Sequence, residues 1–208
     1  MIGIDATTAI NLFEEGDMVT GFNFGPGDIS TQGLGDYLWW TSYDQNNILS
    51  YGSFVNDVVV VRGRITSAAI RVFTESNRYT GNDYDFFGFA FHPSFPNPNT
   101  PGHGYMYAGA SSGIYRVELG PVANTVPTQY KLINVIKICY FVEDFNGGMA
   151  IIPSGHNKDD LLVTDGDTGS VYRLPLDPTG FPFLDPVPLM SGQIVPIAEQ
   201  TFYVSGGK

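Results

Sequence analysis

A short alternation of apolar and polar positions, opened by glycine and closed by proline, occurs three times along the chain. In each copy the proline follows five positions after the glycine, and the glycines are Gly21, Gly88 and Gly148, spaced 67 and 60 residues apart. Alternation with period two is typical of a β-strand with one buried face, and proline ends a strand because it has no N–H for the ladder. Three similar units, each opened by a similar strand, are therefore predicted.

Each opening strand is followed by further short apolar segments separated by polar turn residues. Asp, Asn, Ser and Gly in those turns favour tight hairpins. The number of residues between the second and third strands is similar in the three units. It aligns Leu38, Met106 and Leu162 as equivalent positions of the second strands. The predicted second strands are 36–40, 104–108 and 160–164, the third are 47–51, 113–117 and 170–174, and the fourth are 58–61 with 70–73, 130–140, and 187–190.

Three or four antiparallel strands in about 60 residues match a blade of a β-propeller. The predicted fold is all-β, a single propeller-like domain over 1–208 with almost no helix and an incomplete ring; a β-sandwich is the competing interpretation. Propellers have about four to eight blades. The ring is therefore small, or the chain is part of a larger protein, or several chains complete it. The predicted units are 17–75, 83–140 and 144–190, with 191–208 as a partial fourth.

Composition narrows the class of protein but not its chemistry. The 208 residues are 43% hydrophobic, 14% aromatic and 15% charged, as in a folded domain. A net charge of −11 disfavours nucleic acid and anionic membrane surfaces, and favours cations. The one cysteine, Cys139, lies in a predicted strand and is expected to be a small core residue. No transmembrane run and no signal peptide is visible, although a processed N-terminus would hide one.

Residues 87–95, followed by 99–107, resemble blades of the glucose/sorbosone dehydrogenase-like family in their phrase Gly-Phe-Ala-Phe-His-Pro-Ser-Phe. Phe24-Gly25-Pro26 and Asp165-Gly166-Asp167 also resemble phrases of that family. The resemblance implies six-bladed propellers, many of them quinoprotein sugar dehydrogenases that use pyrroloquinoline quinone and calcium. The family's histidine base precedes its Phe-Gly-Pro phrase, but no histidine lies at 16–20 here. The resemblance therefore supports the fold rather than the activity.

Carboxylates provide the candidate metal ligands. Asp165 and Asp167 lie two positions apart in a glycine-bearing loop, which begins a calcium ligand set but is also an ordinary hairpin turn. Acidic residues also precede each opening strand, where they would form a ring at one mouth of a channel. Those residues are Asp17, then Asp83 and Asp85, then Asp144; ordinary solvated loop positions are the competing interpretation.

Aromatic, asparagine and histidine side chains provide the candidate ligand-binding residues. Trp39 and Trp40 are adjacent in one strand, so they must point to opposite faces, one in the core and one exposed or covered by a neighbour. Exposed aromatics beside asparagine would suit sugar stacking or a protein interface. His92 is the best candidate for a general base, although a structural role is typical of its phrase. The full set is Trp39, Trp40, Tyr43, Asn46, His92 and His103.

The sequence favours a non-catalytic binding or structural module that recognises a protein or glycan. It is expected outside the cell, on a surface or on a particle, with other copies or chains as partners and calcium as the one candidate cofactor. The alternative is a quinoprotein-like sugar dehydrogenase or another cation-dependent propeller enzyme. No nucleophile elbow, paired-cysteine metal site, Walker phrase or dinucleotide fingerprint is present.

Overall fold

The described part of the chain is all-β. A computed structural model describes residues 19–29, 37–42, 47–55, 58–66, 86, 88–95, 100–110, 113–140, 147–165, 169–183 and 187–190. Within these ranges no residue lies in a helix, so no helix there could cross a membrane. The predicted all-β class is confirmed to that extent.

The strands form three four-stranded antiparallel sheets, each of which contains strands consecutive in the chain. Antiparallel neighbours need only short hairpin connections, which the turn residues supply. Sheet 1 contains β1 (Val19–Gly25), β2 (Tyr37–Ser42), β3 (Asn47–Val55) and β4 (Val58–Thr66). Sheet 2 contains β5 (Gly88–Phe91), β6 (Gly104–Ala110), β7 (Gly113–Pro121) and β8 (Tyr130–Tyr140). Sheet 3 contains β9 (Met149–Ile151), β10 (Leu161–Asp165), β11 (Ser170–Leu174) and β12 (Val187–Met190).

The strand predictions are confirmed where the structure describes them. Each opening strand ends one or two residues before its proline, and the predicted strands 130–140 and 187–190 coincide with β8 and β12. Gly169, in the turn between β10 and β11, has a φ of +65°, as the predicted hairpin requires. The predicted strand 70–73 lies outside the described residues.

Strand pairing corrects one alignment between the units. Leu38 pairs with Phe24 and Met106 pairs with Phe91, three positions after the repeated glycine in each sheet. The equivalent residue of β9, Ile151, pairs with Leu161 rather than Leu162. Aligning Leu162 with Met106 is therefore wrong by one residue. A slip of one residue exchanges the two faces of a strand, so the correction decides which residues of sheet 3 face sheet 2.

Neighbouring sheets pack face to face through two hydrophobic clusters. The larger cluster joins Trp39 and Tyr51 of sheet 1 to Met106 and Val117 of sheet 2. The second cluster joins sheet 2 to sheet 3. The opening strands lie beside one another, since β5 contacts both β1 and β9. The three sheets do not close a ring within the described residues. The members of the second cluster are Ala90, Tyr107, Ile114, Met149, Leu161, Val163 and Leu174.

Cys139 lies in β8, as predicted. Its side chain is half-buried and packs against the cluster between sheets 2 and 3, as a small apolar residue does.

The repeated glycines allow the opening strands of sheets 2 and 3 to approach closely. A Cβ atom built on Gly88 would lie 2.6 Å from the carbonyl oxygen of Gly147 and 3.1 Å from the Cα of Gly148. Both neighbouring atoms belong to the backbone, which cannot rotate away as a side chain can. Glycine at position 88 is therefore required by the contact between the two sheets.

We expect Gly88→Ala to destabilise the protein by about 1–3 kcal/mol, because the added methyl group must push β5 and β9 apart. Denaturant unfolding followed by far-UV circular dichroism would measure the loss. Gly155→Ala provides a contrast of cause: apart from its chain neighbours no atom lies within 4 Å of its built Cβ, so any loss there comes from its φ of +88° and not from a steric clash. An unchanged midpoint for Gly88→Ala would contradict the close approach of the two strands.

The opening strand of sheet 1 differs from its two equivalents in exposure. Phe89 and Met149 are buried, at 0% and 1% exposure, because a neighbouring sheet covers them. The equivalent residue of β1, Phe22, is 40% exposed, and Phe24 is 57% exposed. The predicted buried face is therefore wrong for these two positions in β1. The physical reason is that sheets 2 and 3 both lie away from this face of sheet 1.

Candidate functional site

The two tryptophans point to opposite faces of sheet 1, as predicted, but both are buried. Trp39 faces sheet 2 and lies against Tyr51, with ring centroids 4.4 Å apart. Its Nε1 donates to the carbonyl of Pro26 at 3.0 Å. Trp40 lies on the other face with Leu38 and is 2% exposed. Neither indole is available for stacking on a sugar at the surface, so the predicted ligand-binding role of both is not supported by their burial.

In sheets 1 and 2, the end of the sheet at which the opening strand finishes carries hydrogen bonds to the following sheet. At the junction of sheets 1 and 2, the Tyr37 hydroxyl donates to the carbonyl of Thr128 at 3.0 Å. Asp28 accepts from the backbone N–H of Thr128 at 2.9 Å and from its hydroxyl at 2.7 Å. The Tyr130 hydroxyl donates to the carbonyl of Gly27 at 2.7 Å. These bonds fix the connection between β7 and β8 onto sheet 1.

The junction of sheets 2 and 3 repeats this arrangement with different residues. The Tyr107 hydroxyl donates to the carbonyl of Gly180 at 3.1 Å, in the connection between β11 and β12. The Arg116 guanidinium lies 4.0 Å from the ring centroid of Tyr105 and 4.8 Å from that of Phe181. Cation–π contacts of this kind stabilise by about 0.5–2 kcal/mol, depending on desolvation. At both junctions, therefore, a tyrosine in the second strand of one sheet bonds to the connection between the third and fourth strands of the following sheet.

His92 lies at the far end of β5, beside the second junction. Its ring lies over Tyr105, with centroids 4.5 Å apart. Nδ1 accepts the backbone N–H of Ser94 at 3.2 Å and lies 2.6 Å from the Ser94 hydroxyl oxygen. Burial lowers the pKa of His92; Asp159 opposes this shift and Arg116 adds to it. A neutral imidazole whose Nδ1 accepts a hydrogen bond from Ser94, two residues further along the chain, fits the structural role that is typical of the histidine in the Gly-Phe-Ala-Phe-His-Pro phrase.

The lowered pKa predicts a modest acid destabilisation that His92→Gln should remove. Below the ordinary pKa of 6.5, the unfolded chain takes up the proton more readily than the folded one. Stability is therefore full at neutral pH and is lost as the pH falls from about 6.5 towards the folded pKa. Urea unfolding at pH 7.5 and pH 5 would measure this difference in both proteins. An equal acid loss in the variant would show that other groups cause it.

His103, the second described histidine among the candidates, lies against the backbone of β7. The backbone N–H of His103 donates to the carbonyl of Thr100 at 2.9 Å. A Cβ built on Gly120 would lie 2.7 Å from the His103 ring, so the imidazole packs on bare backbone. That contact assigns His103 to packing between β6 and β7. Tyr43 and Asn46 lie outside the described residues.

Of the predicted metal ligands, only Asp165 is described. It ends β10, pairs with Ser170 across the hairpin, and is 7% exposed. No group of three His, Cys, Asp or Glu side chains suited to a metal occurs among the residues whose placement is described. Asp17, Asp85, Asp144 and Asp167 lie outside those residues.

The candidate functional surface is the outer face of sheet 1, which sequence reasoning missed. Phe54 is 47% exposed, Val61 is 38% exposed, and the rings of Phe24 and Phe54 lie 6.2 Å apart. Leu38 and Val59 lie beneath them. We call this surface, formed by Phe22, Phe24, Phe54 and Val61, the phenylalanine face. The alternation in β1 was the available signal, but it predicts one apolar face without saying what covers it.

No protein-family model matches this chain, and comparisons with curated proteins and with solved structures found no significant similarity. The function therefore has to be inferred from the geometry of the described residues.

Proposed function

We propose that the protein is a non-catalytic, β-propeller-like module that works by binding other protein surfaces within an assembly. The observation that carries this proposal is the phenylalanine face at the end of the stacked sheets. Exposed apolar patches bordered by polar residues are typical of protein interfaces. Of the described candidates for chemistry, by contrast, Trp39 and Trp40 are buried, and His92 bonds to Ser94 within its own turn.

The arrangement of the sheets supports a propeller-like interpretation. Each sheet has four antiparallel strands in chain order, and its opening strand lies beside the opening strand of the next sheet. Blades in a propeller are arranged in this way around their axis. An experimental structure would test this directly. Sheets packed as two layers of a sandwich, without a common axis along β1, β5 and β9, would overturn the proposal.

The chemistry of the surface favours a protein partner over a glycan. Sugar-binding aromatics usually combine a ring with polar groups that bond the hydroxyls. The phenylalanine face instead presents Phe22, Phe24 and Phe54, whose rings carry no polar group, above Leu38 and Val59. Such a surface gains free energy mainly by excluding water, which another apolar protein surface does more completely than a sugar.

Calcium remains a proposed cofactor at the turn that follows β10. Asp165 would contribute one carboxylate and Asp167 another. Titration calorimetry should show heat on calcium addition to the wild-type protein and its loss in Asp165→Asn. Ser154→Ala, at an exposed position away from this turn, serves as the control. Absence of heat in the wild type would remove calcium from the proposal and leave the binding function unaffected.

A catalytic function is the outcome that would contradict this proposal. A dye-linked assay with aldose sugars, pyrroloquinoline quinone and calcium should show no turnover above that of the buffer. Turnover abolished by His92→Gln would instead assign His92 as a base and make the protein a quinoprotein-like dehydrogenase.

A further inference from the structure

The outer faces of sheet 1 and sheet 3 are equivalent, by strand register, to the two faces that pack together wherever neighbouring sheets meet. Register makes Phe22 equivalent to Phe89 and Met149, and makes Phe24 equivalent to Phe91 and Ile151. In sheets 2 and 3 these positions pack on the preceding sheet; for example, Phe91 lies 5.4 Å from Trp39 between ring centroids. Only the copy in sheet 1 meets no preceding sheet among the described residues.

The outer face of sheet 3 is equivalent to the faces that receive a following sheet. Leu162 pairs with Ala150 and Arg173, just as Tyr107 pairs with Ala90 and Arg116 in sheet 2. Tyr107 is fully buried by sheet 3, whereas Leu162 is half-buried. Val171 is the counterpart of Ile114 and is likewise only half-buried. We call the surface formed by Leu162, Thr164, Val171 and Arg173 the receiving face.

We infer that the phenylalanine face of one copy docks on the receiving face of a second copy, so that the chain assembles head to tail. The inference rests on the proposed function and names the partner as the chain itself. Each copy would continue the stacking that joins sheet 1 to sheet 2 and sheet 2 to sheet 3. An interface between unlike faces either closes into a ring or extends indefinitely. With three described sheets from each chain, a closed ring of two copies would contain six sheets. Six lies within the common range of about four to eight blades.

The chemistry of the two faces is compatible with this docking. Three phenylalanine rings and Val61 would meet Leu162, Val171 and the aliphatic part of Arg173. In the internal interface the equivalent residue, Arg116, lies over aromatic rings. Arg173 bonds to Asp160 at 3.1 Å and to Asn157, which holds its guanidinium at the edge of the receiving face. Since each chain carries a net charge of −11, added salt should strengthen the association by screening repulsion between copies.

Light scattering coupled to size exclusion should give the wild-type protein twice its chain mass of 22.7 kDa. The double variant Phe24→Ser/Phe54→Ser removes the phenylalanine face, and Leu162→Glu removes the receiving face. Each alone should run as a single chain. Mixed in equal amounts, the two variants retain one intact pair of faces and should recover the two-chain mass. Phe183→Ser is the control, because that ring is 59% exposed and Phe183 is not one of the residues that form either face.

Three results would overturn the inference. They are a wild-type protein of single-chain mass at all concentrations, a Leu162→Glu variant that keeps the two-chain mass, and a mixture that stays monomeric although circular dichroism shows both variants folded. A single-chain mass with the stacked sheets confirmed and no sugar turnover would leave the proposed function standing, and the phenylalanine face would then bind a different partner. Sugar turnover by a two-chain assembly would remove the proposed function without removing the docking.

Discussion

Replacing Trp39 with alanine should lower the free energy of unfolding by about 3–5 kcal/mol, the usual loss for a large aromatic removed from a core. Trp39 is fully buried between sheets 1 and 2. Its ring lies 5.3 Å from Tyr130 and 5.4 Å from Phe91 between centroids. The substitution would also leave the buried carbonyl of Pro26 without the hydrogen bond from the indole. Thermal and urea unfolding would measure the loss.

Two further variants separate the causes of that loss. Trp39→Phe keeps an aromatic ring but removes the hydrogen bond to Pro26, so about 1–3 kcal/mol of the effect should remain. Phe183→Ala removes an exposed aromatic side chain and should change stability by less than about 0.5 kcal/mol. A similar small change for Trp39→Ala would show that sheets 1 and 2 do not share a packed core.

Alkaline pH should unfold the protein cooperatively, because several phenols at the sheet junctions are held neutral. Burial raises the pKa of Tyr37 to about 12, with the charge of Asp28 adding to the shift. A raised folded pKa means that stability is fully present below the unfolded pKa of 10 and is lost as the pH rises through the folded value. The loss should therefore begin near pH 10 and be severe by pH 12. Burial also raises the pKa of Tyr51, Tyr107 and Tyr130.

Phenolate absorbance and far-UV circular dichroism, followed together from pH 8 upwards, would test this expectation. A group of tyrosines should ionise only as the sheets unfold, so part of the absorbance change should coincide with the loss of strand signal. Tyr37→Phe should reduce the steepness of the loss above pH 10. Complete ionisation near pH 10 with intact sheets would show that these phenols are accessible to water.

Local pattern was sufficient for the strands because their causes are local. Alternation placed β1, β5 and β9, and the prolines ended them. The spacing of polar turns placed the second and third strands, and β8 and β12 matched their predicted ranges. The alignment at Leu162 was wrong by one residue because the predicted second strands, 36–40, 104–108 and 160–164, were matched by their first residues. In the structure the first of the third set, Asp160, is instead equivalent to Tyr37 and Tyr105. Pairing with Ile151, rather than the phrase itself, decided that register.

The sites were less predictable because they depend on residues far apart in the chain. Asp28 and Thr128, which join sheets 1 and 2, are 100 positions apart, and Tyr107 and Gly180 are 73 positions apart. The residues around each of these positions contain no pattern that indicates its distant partner. Trp40 was a candidate for recognition as an aromatic residue beside polar turns, yet its burial depends on what covers that part of sheet 1.

The sequence by itself determined that the chain makes repeated antiparallel sheets with alternating faces, since strand periodicity and turn chemistry act over a few residues. Only the tertiary structure decided which face of each sheet is covered. The apolar residue that follows the repeated glycine is buried in β5 and β9, as Phe89 and Met149, and exposed in β1, as Phe22, because burial depends on whether a neighbouring sheet lies on that side. A side chain's own sequence neighbours cannot specify that.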